Sequence, residues 1–380
     1  MTKTEQKQNH SIFNLPQDII FDILSRLPTR SLIQFRCVNS SSPPLISHPS
    51  FTKLHFTTTL KKPDKNHLII YYETLDYINH IYSLRSPTNT FQETLKLAPP
   101  YKPLHGYLRI VGSHKGLLCF FDTNFYSNVG HVLLWNPSIS RFKKVGHDPC
   151  QDLDKVSHFV VGFGFVLRNL EFKVVKIVYG LDKVVNVNHV LVYELSSDSW
   201  RKIDGVVAPC GMVRGWSCNV VVNGFVNWLG FKEVVRDASL VPNVIMGFDL
   251  DNECFCVVEL PKDIVRSYDQ VCLVSYGDES LLLALGAHYV ELNGEKWDMW
   301  VMGEYGVVDS WKKVCVVAHP VLSIPPLLMR NDHEVLMVMS DGRLVLFDAI
   351  KSEMLDLETH GLPRAFNAIG YTASLALLQG

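Results

Sequence analysis

The chain has 380 residues, a formal net charge of −2 and a hydrophobic content of 47%, which together predict a folded globular protein and exclude a disordered scaffold. Because 36 basic residues are balanced by 38 acidic ones, no basic field is available for nonspecific binding of nucleic acid. The longest apolar runs, such as Leu281–Ala287, are much shorter than the ~18 to 20 residues that span a bilayer. We therefore expect a soluble protein with neither a membrane nor a nucleic-acid partner.

The N-terminal residues are polar and contain neither an apolar segment nor a small-residue cleavage site. We therefore expect residence in the cytoplasm, the nucleus or both, rather than secretion. The nine cysteines include no Cys-x-x-Cys pair and are odd in number, which disfavours a disulfide framework.

Residues 11–50 show helical periodicity. In the segment LPQDIIFDILSRLP the apolar residues recur at helical spacing, with Pro16 placed for a first helical turn and Pro28 placed to end the helix. Thr29 is a candidate cap for a second helix with an apolar stripe of its own. So short a segment buries too little apolar area to be stable alone, so we expect it to pack on a partner or on the rest of the chain.

From about His67 the sequence consists of short β-branched and aromatic runs separated by turn residues, which predicts an all-β region. A hairpin pattern recurs six times, with anchor residues 44 to 58 positions apart at Tyr82, Trp135, Tyr193, Phe248, Gly303 and Phe347. With further hairpins in between, the pattern gives about four strands per repeat, which is typical of a kelch-type propeller blade.

We therefore predict a mainly β protein in which a small helical segment precedes a β-propeller of six or seven blades. The ring is expected to close by pairing the C-terminal run Tyr371–Leu378 with an early strand such as HLIIYY, because closure removes open sheet edges. A pair of β-sandwiches is the alternative fold.

The N-terminal segment resembles the F-box, a helical motif that binds a Skp-family adaptor protein. The resemblance joins the opening Leu15-Pro16 to a second Leu-Pro pair at Leu27-Pro28. It implies an adaptor-binding set composed of Leu15, Pro16, Ile19, Ile20, Ile23, Leu24, Leu27, Pro28, Leu32, Phe35 and Val38. An ordinary helical hairpin that packs on the β region is the alternative interpretation.

The β region is similar to the F-box-associated domain of plant F-box and kelch-repeat proteins, on segments that include GSHKGLLCFF, LLWNPSISRFKK and VLVYELSSDSWRKI. The resemblance implies an F-box at residues 11–56 and a substrate-recognition domain at residues 60–380. The implied function is that of a non-enzymatic substrate-recognition subunit of an SCF-type ubiquitin ligase, which binds the adaptor, through it a cullin, and an unidentified target protein. S-locus F-box proteins are one subgroup of this family, and the sequence does not decide membership.

The third F-box element departs from the family pattern. Where the family carries Cys-Lys-x-Trp-Arg, this chain has Asn39–Pro44, with Ser42 at the tryptophan position and two prolines that disfavour a helix. Loss of a buried tryptophan costs about 3 to 5 kcal/mol if nothing refills its space. An interaction scaffold with weakened adaptor binding is therefore an alternative function.

Other candidate sites carry weaker signals. His147 with Asp148, and the cluster at residues 332–334, have metal-binding or acid–base side chains, but they lie in predicted turns without helical ligand spacing. The segment Gly162–Phe165 lacks the third glycine of a dinucleotide site, and we interpret its glycines as strand positions that allow close blade packing. We predict no cofactor, metal or catalytic residue; the least favoured alternative is a propeller hydrolase with carboxylates at the central channel.

Overall fold

The computed structural model describes residues 16–38, 45–60, 67–76, 79–88, 90–103, 108–123, 130–150, 156–180, 188–209, 220–231, 243–261, 264, 270–277, 282–291, 294–319 and 324–377. The chain divides into a helical unit of residues 1–64, 136–141 and 373–380, and a β unit of residues 65–135 and 142–372. The predicted division into residues 11–56 and 60–380 placed residues 136–141 and 373–380 in the β domain, whereas in the structure they belong to the helical unit. None of the helices in the described ranges has the length and apolar content needed to cross a bilayer.

The helical unit contains α1 (Gln17–Ser25), α2 (Thr29–Val38) and α3 (Pro49–Leu60). The predicted first helix is present as α1, with Pro16 as its N-cap rather than as a residue of its first turn. Asp18 in the first turn interacts favourably with the positive end of the helix dipole. The sequence did not predict α3, because its apolar residues are interrupted by threonines and form no continuous stripe. The departure from the family pattern at residues 39–44 lies outside the described residues.

The β unit contains four-stranded sheets, and the first three blades are arranged in chain order. Blade 1 consists of β1 (His67–Glu73), β2 (His80–Arg85), β3 (Glu93–Leu97) and the C-terminal β24 (Asn367–Tyr371). Blade 2 consists of β4 (Leu108–His114), β5 (Leu117–Thr123), β6 (Gly130–Asn136) and β7 (Arg141–Lys144). Blade 3 consists of β8 (Val156–Val166), β9 (Glu171–Gly180), β10 (Asn188–Glu194) and β11 (Ser199–Lys202).

Three further blades complete the β unit in the described part of the chain. Blade 4 consists of β12 (Val220–Val222), β13 (Phe225–Gly230), β14 (Val244–Asp249) and β15 (Phe255–Glu259). Blade 5 consists of β16 (Gln270–Tyr276), β17 (Leu282–Glu291), β18 (Gly294–Met302) and β19 (Trp311–His319). Blade 6 consists of β20 (Leu328–Met329), β21 (Glu334–Val338), β22 (Arg343–Asp348) and β23 (Glu353–His360), and a short parallel pairing of β16 with β20 joins blades 5 and 6.

The predicted repeat corresponds to the blades. In blades 2 to 6 the anchor residue lies on, or directly after, the third strand of the blade. In blade 1 the anchor Tyr82 lies on β2, which is the third strand of that sheet when β24 is counted as the first. The recurring hairpin is therefore the one that joins the third and fourth strands. In blade 4 the Asn223-Gly224 turn joins β12 to β13, with positive φ values of 52° and 82° that are typical of a type I′ hairpin.

Neighbouring blades pack face to face all the way round the β unit. Each of the six interfaces buries apolar side chains from both blades, represented in ring order by Tyr82 with Phe120, Phe121 with Phe159, Ile177 with Trp228, Ile245 with Leu285, Met299 with Met337, and Leu344 with Ile70. Because the sixth blade packs on the first, the β unit is a closed propeller. The six blades agree with the predicted six or seven, and the alternative of paired sandwiches is wrong.

The strand that closes the ring differs from the predicted one. The expected partner, the HLIIYY strand, is confirmed, because β1 pairs antiparallel with β24 from His67↔Tyr371 to Tyr71↔Asn367. The expected closing segment Tyr371–Leu378 is wrong, since only its first residue lies in β24. The apolar residues after β24 lie in the helical unit. The hydrophobicity of these residues indicates that they are buried, but it does not indicate which of the two units buries them.

Two strand glycines let blade 3 approach blade 4, in agreement with their interpretation from the sequence. A Cβ atom at Gly162 would lie 2.5 Å from Cγ1 of Val226 and 2.6 Å from Cζ2 of Trp228. At Gly164 a Cβ atom would lie 2.4 Å from Cδ1 of Leu250. These neighbours are buried side chains, so the blades would have to move apart to admit a methyl group.

We expect Gly162→Ala to lower the stability of the β unit by about 1 to 3 kcal/mol, because the added methyl group overpacks a filled interface. The matched variant Gly146→Ala places its methyl group where nothing lies within 4 Å and is expected to change stability by less than about 0.5 kcal/mol. Urea unfolding measured by tryptophan fluorescence compares both. Equal midpoints for the two variants would show that the glycine is not required for blade packing.

A charged network also links blades 3 and 4. Nζ of Lys173, which is 4% exposed, donates to the Leu250 carbonyl oxygen at 2.9 Å and to Oε1 of Glu253 at 2.7 Å. Arg201 also donates to Glu253 and pairs with Glu194 at 3.2 Å. Burial alone would raise the pKa of Glu253, but the hydrogen bonds from Arg201 and Lys173 hold it below its ordinary value near 4.5.

A lowered folded-state pKa means that Glu253 stabilises the fold above its unfolded pKa, and that this contribution is lost as the pH falls through the lower folded-state value. We expect Glu253→Gln to destabilise the β unit at pH 7 by about 1 kcal/mol, a figure reduced for solvent screening. The difference from wild type should shrink as the pH falls below about 4.5. Thermal melts across this pH range measure the difference, with the exposed Glu358→Gln as control. A difference in stability that is independent of pH would contradict a stabilising role of the ionised Glu253 carboxylate.

Candidate functional site

The candidate functional site is an exposed apolar row on α1. Ile19, Ile23 and Leu27 succeed one another at intervals of four residues, the last of them just beyond the helix, and their exposed fractions are 48%, 45% and 37%. Residues at this spacing lie on one side of a helix. The helical unit therefore presents a continuous apolar row, which we call the α1 row, at its surface.

The opposite side of α1 anchors the helix. Ile20, Phe21 and Leu24 are at most 8% exposed and share a buried cluster with side chains from α2 and α3. Phe21 packs edge-on against Phe51 of α3, with ring centroids 5.3 Å apart. This burial explains why so short a segment is helical, since tertiary packing stabilises it more than propensity does.

Polar contacts define the C-terminal end of α1. The Nε2 atom of His55, which is 2% exposed, donates to the carbonyl oxygen of Leu27 at 3.1 Å, so α3 satisfies a carbonyl just beyond α1. Ser25 donates its hydroxyl to the Asp22 carbonyl oxygen at 2.9 Å. The Asp22–Arg26 ion pair, with 2.7 Å between Oδ2 and Nη2, is exposed at the surface.

The helical unit also contains two segments from distant parts of the chain. The short 3-10 turn Pro137–Ile139 contributes Ile139 to the packing around the buried cluster. The segment after β24 contributes Leu375, which is 1% exposed in the same cluster. Sequence reasoning missed both contributions. The one signal in the sequence was the apolar run around Leu375, which its pattern assigns equally well to a strand.

The structure sorts the predicted adaptor-binding residues into two groups. Those at the surface are Pro16, Ile19, Ile23, Leu27 and Pro28. Those in the core are Ile20, Leu24 and Leu32, whose burial leaves no side-chain surface for a partner while the unit is folded. Phe35 is half-buried against the same core, and Leu15 and the side chain of Val38 lie outside what the structure describes. The F-box resemblance implied a set that includes both faces of α1, because the motif is a pattern of residue types and does not say which face the chain itself covers.

The weaker candidate sites have structural roles. The Asp148 carboxylate is buried and accepts a hydrogen bond from Nζ of Lys176 at 2.7 Å, whereas His147 is exposed. In the turn before β21, Asn331 accepts hydrogen bonds from the backbone N–H groups of His333 and Glu334. Within the described ranges, no group of three or more His, Cys, Asp or Glu side chains is placed to hold a metal ion.

Comparison with known families matches most of the chain. Residues 12–54 match the F-box domain, and residues 77–359 match the F-box associated beta propeller domain. The first match covers α1, α2 and part of α3, and the second covers most of the six blades.

Individual relatives are similar along most of their length. The chain is 24% identical to the F-box protein CPR1 of Arabidopsis thaliana, over 96% of this chain and 89% of that protein. It is 26% identical to the F-box/kelch-repeat protein At3g23880 of the same plant, over 90% of this chain and 87% of that protein. Among solved structures, the Dos1 propeller shares 10% identity over 77% of this chain and 68% of that chain, with a TM-score of 0.34.

Because adjacent residues lie on different faces of α1, the same substitution should change the stability of the helical unit by different amounts. We expect Ile20→Ala to destabilise the helical unit by about 2 to 5 kcal/mol, because it leaves a cavity in the buried cluster. Ile19→Ala should change its stability by no more than about 0.5 kcal/mol. Native-state hydrogen exchange of the α2 amides measures the local stability in each variant. Equal exchange rates in the two variants would reject the assignment of the buried face.

Proposed function

Because the chain belongs to the plant F-box proteins that carry an F-box-associated β-propeller domain, we propose that it is the substrate-recognition subunit of an SCF-type ubiquitin ligase. The pairing of an F-box with a propeller supports a general role in substrate recognition. In the specific proposal, the helical unit binds a Skp-family adaptor, the adaptor links the chain to a cullin, and the β unit binds the protein to be ubiquitinated.

The observation that supports adaptor binding is the α1 row. Its three large apolar side chains are between one-third and one-half exposed, on a helix whose other face is already buried. Covering the exposed parts of such side chains contributes roughly 1 kcal/mol each. An apolar row of this kind on a helix fits a hydrophobic groove of a partner protein. We assign the adaptor contact to Pro16, Ile19, Ile23, Leu27 and Pro28.

The β unit suits the recruitment of a target. In a closed propeller each blade packs between two neighbouring blades, so the loops that connect the strands are held on a rigid frame. Holding the target close to the ligase raises its effective concentration for transfer by other subunits. We propose that this chain recruits rather than catalyses, as F-box proteins with a propeller ordinarily do, and that it acts in the cytoplasm, the nucleus or both.

We expect Ile23→Ser to weaken adaptor binding at least tenfold, because truncation of a central apolar contact commonly costs more than about 1.4 kcal/mol. The matched variant Ile350→Ser changes the same residue type at a 76% exposed position of the β unit and is expected to leave the affinity unchanged. Calorimetric titration of the purified chain with adaptor measures both.

Two results would contradict the proposal. Equal affinities for Ile23→Ser and wild type would exclude the α1 row as the contact. If the wild-type chain neither binds adaptor in the titration nor co-purifies with adaptor and cullin, the ligase function fails, and the scaffold with weakened adaptor binding becomes the better explanation.

A further inference from the structure

The segment Ala373–Leu377, which we call the C-terminal segment, is built into the helical unit. Its central residue Leu375 is 1% exposed and shares the buried cluster with Ile20 and Leu24 of α1 and Leu32 of α2. Its first residue accepts a hydrogen bond at 3.3 Å, from Oγ1 of Thr29 to the Ala373 carbonyl oxygen. The segment therefore contacts the start of α2 and supports the buried face of α1.

Asn136 binds the backbone of the C-terminal segment with a specific pattern of hydrogen bonds. Its Nδ2 donates to the carbonyl oxygens of Ser374 at 3.0 Å and Ala376 at 2.9 Å, and its Oδ1 accepts from the Ser138 N–H at 3.0 Å. The side chain is 0% exposed. Two donated bonds and one accepted bond use the amide as both donor and acceptor, a combination that aspartate does not offer.

We propose that the C-terminal segment is an integral part of the adaptor-binding site, in which Leu375 and Asn136 are positioning residues for the α1 row. This inference rests on the proposed function for the identity of the partner. The row and the buried residues of α1 are two faces of one short helix, so the support under one face fixes the position of the other. Residues 12–54, which match the F-box, are consequently an incomplete adaptor site in this chain.

Because of its position in the chain, the C-terminal segment can be changed without changing any described strand of the propeller. The closing strand β24 ends at Tyr371, and the segment begins two residues later. Every strand of the ring in the described residues therefore precedes the segment. A change confined to the segment leaves the propeller complete but removes part of the core beneath the α1 row, so adaptor binding is lost without loss of the ring.

The test uses three variants of the full chain. Leu375→Ala removes the buried side chain at a site outside every described strand. Asn136→Asp keeps the size of the side chain but points a carboxylate at two carbonyl oxygens, which releases the segment. Leu167→Ala is the matched control, because it makes the same substitution at a 66% exposed position of the β unit.

Two measurements are made on each variant: hydrogen exchange of the amides, and adaptor affinity by titration. We expect Leu375→Ala and Asn136→Asp to speed exchange in α1 and α2 about tenfold or more, while the β1 and β24 amides keep their protection. Adaptor affinity should fall about tenfold or more in Leu375→Ala and Asn136→Asp and stay at the wild-type value in Leu167→Ala.

Unchanged exchange in α1 and α2 of both variants would overturn the inference, as would faster exchange with adaptor affinity intact. Asn136 lies at the end of β6, so Asn136→Asp could also disturb blade 2. If the blade 2 amides lose protection in Asn136→Asp, the result for Leu375→Ala decides whether the inference holds. If wild type does not bind adaptor at all, the proposed function fails. The exchange data alone then decide whether the segment supports α1.

Discussion

The pairing of β24 with β1 is the constraint on which the rest of the structure depends. A propeller is stable only when its last blade packs on its first, because otherwise two apolar sheet faces and a strand edge stay open to water. Here the first blade takes one strand from the end of the chain, with five residue pairs in register. Ring closure therefore requires nearly the whole chain, and it fixes where the chain leaves the last strand of the β unit.

The C-terminal segment, which comes directly after β24, completes the core of the helical unit. A helical segment of about forty residues has too little apolar surface to fold well alone. The structure meets this deficit with Ile139 and Leu375, two side chains supplied by distant parts of the sequence. With one face of α1 buried by this core, the other face remains for a partner. The presence of one buried and one exposed apolar face on α1 is therefore a consequence of packing.

Much of this fold could be predicted from the sequence, because its repeats are regular. The anchors Tyr82, Trp135, Tyr193, Phe248 and Phe347 recur because five of the six described blades bury a large side chain at this place in the sheet. The anchor of blade 5 is Gly303, directly after its third strand. The strand that closes the ring was misplaced, since an apolar run such as that around Leu375 suits a strand or a helical core equally well. The bonds made by Asn136 join residues 238 to 240 positions apart, and no local pattern encodes such contacts.

We propose that the exposed face of α1 binds the adaptor and that the propeller binds the target. The most direct test of this assignment is the hydrogen-exchange footprint of the adaptor on the full chain. Slower exchange is predicted for the amides of α1 and of the helices that pack with it, with no change in the six blades. Protection confined to the blades, with α1 exchanging at the same rate with and without adaptor, would contradict the assignment.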